Sequence, residues 1–169
     1  HSGAGRYGKI YLRTMSLFES GESSGDVSLQ ELCNDNIKQK LTGEVDLRNI
    51  ARLIIRGGWP GNLDYNAKDA SEAVKTYIDL IIDDDLTRLD GINRDKHKVR
   101  LLLKSLARNE STTASNMTLK KDINEVDNED VDIDTLASYL DALNRLYLLD
   151  NDEPFSSNIR SQVRVKQSE

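Results

Sequence analysis

The residues able to do chemistry are few, and their spacing is informative. Gly3, Gly5 and Gly8 form a literal G-x-G-x-x-G. A dinucleotide fingerprint needs a strand before it and a helix after it. Here almost nothing precedes the glycines, and Lys9–Arg13 reads as a strand with Tyr11 and Arg13 on one side, so the run reads as a loop entering that strand. No G-K-[ST] occurs anywhere, which excludes a phosphate-cradling P-loop within this sequence. Asp83, Asp84 and Asp85 lie in a helical pattern, where consecutive side chains point about 100° apart and cannot converge on one cation. Asp79 and Asp83 share a face but lack a third ligand, so they read as a solvated edge. His97 sits among Lys96, Lys98 and Arg100, and the only other histidine is His1, which leaves no histidine metal cluster or triad. Trp59, the only tryptophan, reads as the anchor of a turn, since one aromatic makes no cage. No catalytic residue, metal site or cofactor is expected within these residues.

The elements that position these groups follow from hydrophobic period. Val131–Leu149 is the organising stretch. Ile133, Leu136, Ala137, Leu140, Leu143, Leu146 and Tyr147 fall on one helical face, and Asp132 or Asp134 can cap its start. Its expected partners are Arg94–Asn109, burying Val99, Leu102, Leu103 and Leu106, and Asn116–Ile123, with Met117, Leu119 and Ile123. Upstream, Asp46 caps a helix to about Arg56 with the stripe Leu47, Ile50, Ala51, Ile54 and Ile55, which Gly57-Gly58-Trp59-Pro60-Gly61 ends. Lys68 to about Leu89 is a long amphipathic helix, while residues 16–43 read as loop with a short helix at Ser28–Cys33. Three helices followed by an alternating strand, Gln162–Lys166, read as a winged helix-turn-helix.

Charge constrains the partner. The chain carries a net charge of −6 with a pI near 5.0, unlike a general nucleic-acid binder. From Arg94 to Lys121, eight Lys/Arg stand against two acids, a net +6; from Asp122 to Glu153, eleven Asp/Glu stand against Arg145, a net −10. The second window holds the would-be recognition helix, where Asp132, Asp134 and Asp141 would repel phosphates. The expectation is a packing and protein-interaction module. The alternative is a DNA-binding winged helix holding the backbone through Arg94, Lys98, Lys104 and Arg108 of the first helix and Arg160, Arg164 and Lys166 of the wing. A third reading is an oligomerisation module, dimeric through the exposed edge of strand Lys9–Arg13. One cysteine, Cys33, points to a reducing, cytoplasmic setting, and no run approaches the ~20 apolar residues of a membrane span. The start without methionine and the abrupt end at Glu169 read as truncations of a longer protein.

H-S-G-A-G-R at 1–6, R-T-M-S-L-F-E-S-G at 13–21, I-I-R-G-G-W-P at 54–60 and T-L-A-S-Y-L-D-A-L at 135–143 together resemble the prokaryotic AAA+-class P-loop ATPases that carry a domain of unknown function after the ATPase core. The resemblance implies that residues 1–45 are the tail of that core and a polar loop, 46–93 a helical linker or lid, and 94–169 the winged helix. ATP and Mg would then belong to the parent protein, bound upstream, and a nuclease-like portion would follow Glu169. It also implies that Arg6 follows the loop after the sensor strand, where a guanidinium can approach the γ-phosphate; a plain surface ion pair for Arg6 stays equally open. The expected class is thus mainly α: a helical linker followed by a winged helix-turn-helix, with a short residual β-segment at the N-terminus. Its expected partners are its own ATPase core, the downstream domain and an unidentified protein.

Overall fold

Six helices among the described residues start where a short polar side chain takes up free amide groups of the first turn. In a computed structural model that describes residues 8, 10–34 and 45–151, Ser28 caps α1 (Leu29–Cys33), Asp46 caps α2 (Leu47–Arg56) and Asn66 caps α3 (Ala67–Leu80). Asp95 caps α5 (Lys96–Arg108), Ser115 caps α6 (Asn116–Asp127) and Asp132 caps α7 (Ile133–Arg145). Between α3 and α5 the helix continues through a π turn, Ile81–Asp85, into α4 (Leu86–Asp90), which ends at Gly91 with φ 74° in the left-handed region. A single 3₁₀ turn, Pro60–Asn62, follows α2. The protein is mainly α, with 60% of the described residues helical and no strand among them. No described helix is long and apolar enough to cross a membrane.

The chain divides into two units, His1–Thr76 and Tyr77–Glu169. The division falls inside the span 46–93 expected as linker, and residues 81–86 share a core with the helices that follow. In the carboxy-terminal unit, α5 packs on α6 and on the π turn, α6 packs on α7, and α7 packs on α4. The core draws Ile81 and Ile82 from the π turn, Leu86 from α4, Val99, Leu101 and Leu102 from α5, and Leu119 and Ile123 from α6. Leu136, Tyr139, Ala142 and Leu143 of α7 complete it, with Val131 from the preceding turn. Because α5 touches neighbours on two sides, its buried arc is wider than the expected stripe. Leu101 is buried, while Leu103 and Leu106 are half-buried.

Several expectations need correction. The organising helix is shorter than 131–149: it ends at Arg145, and Tyr147 adopts φ 57° and is exposed. Ala137 faces solvent, and Tyr139 takes the buried position instead. The third helix of the expected triad, α6, runs a turn further than Ile123, to Asp127, where Asn128 in the left-handed region stops it. Ile10–Arg13 form no β-ladder with any described residue, so the residual β-segment is not seen there; Lys9 lies outside the described residues. So do Arg6, the expected wing at Gln162–Lys166, and with it Arg160, Arg164 and Lys166.

Candidate functional site

The α5–α6–α7 arrangement puts the basic and acidic halves of the sequence side by side, and the result is neutralisation. Arg108 at the end of α5 donates from Nε and Nη2 to Asp122 (2.9 and 2.7 Å) and from Nη2 to Asp127 (2.7 Å), both on α6. The Arg108 guanidinium holds the Asp122 carboxyl below its usual range. Behind this fork the buried Ser105 hydroxyl donates to the Leu119 carbonyl at 3.3 Å, fixing the same two helices together. Arg100 pairs with Asp79 at 2.5 Å, and Lys96 with Asp83 at 2.8 Å, where the ammonium again lowers the carboxyl's pKa. His97 is exposed, 3.8 Å from Glu129.

The sequence predicts Arg94, a candidate backbone contact, as a solvent-facing cation at the start of the basic helix. It is instead buried, its side chain 4% exposed. Gly91 ends α4 and turns the chain back, so that Nη1 and Nη2 reach Asp90 at 2.9 and 2.7 Å, and Nη1 also reaches the Leu86 carbonyl at 3.0 Å. A bidentate guanidinium and carboxylate of this kind is the strong form of ion pair. The Arg94 hydrogen bonds bring Asp90 down to about 2, and Arg145 of α7 adds a third charge, 3.5 Å from the same carboxylate. Beside this clasp, the Asp95 amide donates to the Tyr139 hydroxyl at 3.0 Å, tying the start of α5 to the middle of α7. The Asp90–Arg94 pair has no distinctive sequence signature: four residues apart, it looks like a helical pair, yet a helix break lies between its members. The signal that was available is Gly91 itself, which cannot sit comfortably inside a helix.

Of the cations singled out for nucleic acid, the structure brings Arg94, Lys98, Lys104 and Arg108 onto or beside one helix but commits Arg94 and Arg108 to carboxylates. Lys98 and Lys104 meet no carboxylate among the described residues. The outward side of α7 carries Asp134, Ser138, Asp141 and Asn144, all exposed. Among the described residues no group of three His, Cys, Asp or Glu is placed to hold a metal ion.

The amino-terminal unit has its own clasp. Arg56, buried at the end of α2, pairs with Glu22 and donates to the Ser20 hydroxyl at 3.1 Å; the guanidinium and that hydroxyl bring the Glu22 carboxyl down to about 2. Asn62 donates to the Arg56 carbonyl at 3.1 Å, and the Met15 amide donates to the Gly58 carbonyl at 2.8 Å. An open groove of about 510 Å³ lies between the 12–15 segment and Trp59-Pro60, and Trp59, expected as a buried anchor of the turn, is only half-buried and lines this groove.

The family model of a domain of unknown function, DUF8612, matches residues 47–168, and the chain belongs to that family. No curated protein and no solved structure matches it.

Proposed function

We propose that this DUF8612 chain is the non-catalytic middle segment of a cytoplasmic AAA+-like ATPase, coupling nucleotide state to a protein partner through helix packing. In this reading α5, α6 and α7 are the helices of a winged helix-turn-helix, with 162–166 as its wing, used for protein contact. ATP and Mg act in the upstream core, and Arg6 lies near the nucleotide. The observation that carries the protein-contact reading is the internal neutralisation of the basic helix: Arg94, Lys96, Arg100 and Arg108 are all engaged by carboxylates of their own unit. A helix whose guanidiniums are already satisfied gains little from phosphates, and α7 would bring Asp134 and Asp141 against them.

One observation favours the second reading, a DNA-binding winged helix: Lys98 and Lys104 stay clear of carboxylates among the described residues, and wing residues Arg160, Arg164 and Lys166 would add three charges. Titration of the chain against random duplex DNA separates the two. The coupling reading expects no binding at ~50 mM salt. Tight binding there that collapses by ~200 mM would reverse the order of the readings.

A further inference from the structure

The most sharply amphipathic helix of the chain turns its apolar side to water. On α2, Leu47, Ile50, Ala51 and Ile54 fall at i, i+3, i+4 and i+7, the spacing by which one helix engages another. Leu47 is 77% exposed and Ile54 75%, with Ile55 at 42% and Ile50 at 38% beside them. What α2 buries is its other side: Arg56 is buried in the Glu22 clasp and Leu53 is half-buried. The helix is thus held to its own unit by a charged residue and presents its aliphatic residues outward. Two turns, about 11 Å of apolar stripe from Leu47 to Ile54, is more than scattered surface leucines account for.

Charge says what would cover it. At about 100° per residue, Arg48 and Arg52 lie one turn apart along a single edge of the stripe, next to Ile55. Arg52 donates to the neutral Asn49 oxygen, at 3.2 and 3.0 Å, and among the described residues neither arginine meets a carboxylate. The third arginine, Arg56, is occupied by Glu22. We infer that the outer face of α2 is a docking site for an acidic amphipathic helix of a partner protein: an apolar i, i+3, i+4, i+7 face whose flank carries Asp or Glu to meet Arg48 and Arg52. A second copy fits less well, because antiparallel self-pairing sets the arginine edge against itself. An anionic lipid surface also fits less well, because an extended negative plane meets the whole chain, whose net charge is −6.

The test pans the full chain against a display library of stapled helical peptides of about 14 residues, roughly four turns. Enriched peptides are expected to combine the apolar spacing with acidic residues on one flank. Their affinity should fall roughly tenfold or more for L47Q/I54Q, which touches only exposed positions and should leave the circular dichroism spectrum unchanged. The variant R48E/R52E should reverse the preference, enriching Lys and Arg on the same flank. No enrichment, enrichment without charge bias, or peptides indifferent to L47Q/I54Q overturns the proposal. So does a dimer of the wild-type chain that L47Q/I54Q dissolves, or binding to phosphatidylserine vesicles that the same variant abolishes.

Discussion

Leu143 offers the strictest check on the helical core. Its side chain is fully buried on α7, at the contact with α6 and α4, among Leu136, Tyr139 and Ile123. Truncation to alanine forfeits about 2 kcal/mol of transfer free energy for the aliphatic carbons removed. The cavity left behind costs about 1–2 kcal/mol more, since its walls belong to separate helices fixed by caps and by the Asp90–Arg94 clasp and cannot collapse freely. The expected loss is therefore about 3–4 kcal/mol, a large share of a stability that for a domain of this size is about 5–15 kcal/mol. In a thermal melt followed by far-UV circular dichroism, that is a fall in midpoint of about 12–32 °C for the carboxy-terminal unit. Leu47→Ala, at an exposed position of α2, serves as the control and should move the midpoint by the equivalent of less than ~0.5 kcal/mol. A Leu143→Ala loss under ~1 kcal/mol would mean that α7 is not seated on α4 and α6, and the triad would have to be redrawn.

Two further outcomes follow from the clasps. Asp90 titrates at about 2 in the folded chain, below the ordinary carboxylate value of about 4, so the unfolded chain takes up its proton first as the pH falls. The stability this gives is fully present above pH ~4 and is lost on acidification toward pH ~2. Melts across that range should show a shallower acid slope for Asp90→Asn than for the wild type, and parallel slopes would refute the assignment. In the amino-terminal unit, a methyl group at Gly58 would come within 2.6 Å of the Met15 carbonyl and 2.8 Å of Thr14 Cβ. Gly58→Ala should break the Met15–Gly58 hydrogen bond at a cost of about 1–3 kcal/mol and shift the emission of Trp59, the chain's only tryptophan, to the red; an unchanged spectrum would show that the segment is not strapped there.

The helices were legible because their signals are local. Asp46, Ser115 and Asp132 each stand at the cap that a short polar side chain before an apolar period announces. What was not legible is which face of a helix is covered. A stripe such as that of α2 ordinarily marks a buried face, yet its apolar side is open and Arg56 is buried, because Glu22, 34 residues away, supplies the counter-charge. Likewise the +6 and −10 windows are distinct along the sequence, and only tertiary packing brings Arg108 against Asp122 and Asp127. Tyr139 lies outside the expected stripe; its hydroxyl is satisfied in the core by the Asp95 amide, which stands at the start of another helix. Long-range pairing of this kind leaves no periodic trace in a sequence.

The π turn at Ile81–Asp85 has a consequence for how the chain tolerates changes in length. On an ordinary α-helix Ile81 and Leu86, five residues apart, would point about 140° away from each other. The widened turn brings both into the core with Ile82. The Asp83-Asp84-Asp85 run therefore acts as a phase adjuster, holding one residue more than an α-helical path between the same apolar groups requires. Removing Asp84 or Asp85 would return Ile81 and Leu86 to a spacing of four, which a plain α-helix also places on one side. Substitution at Asp83 reaches Lys96 and at Asp84 reaches Arg88, whereas a change in the length of the run alters the phase between Ile81 and Leu86.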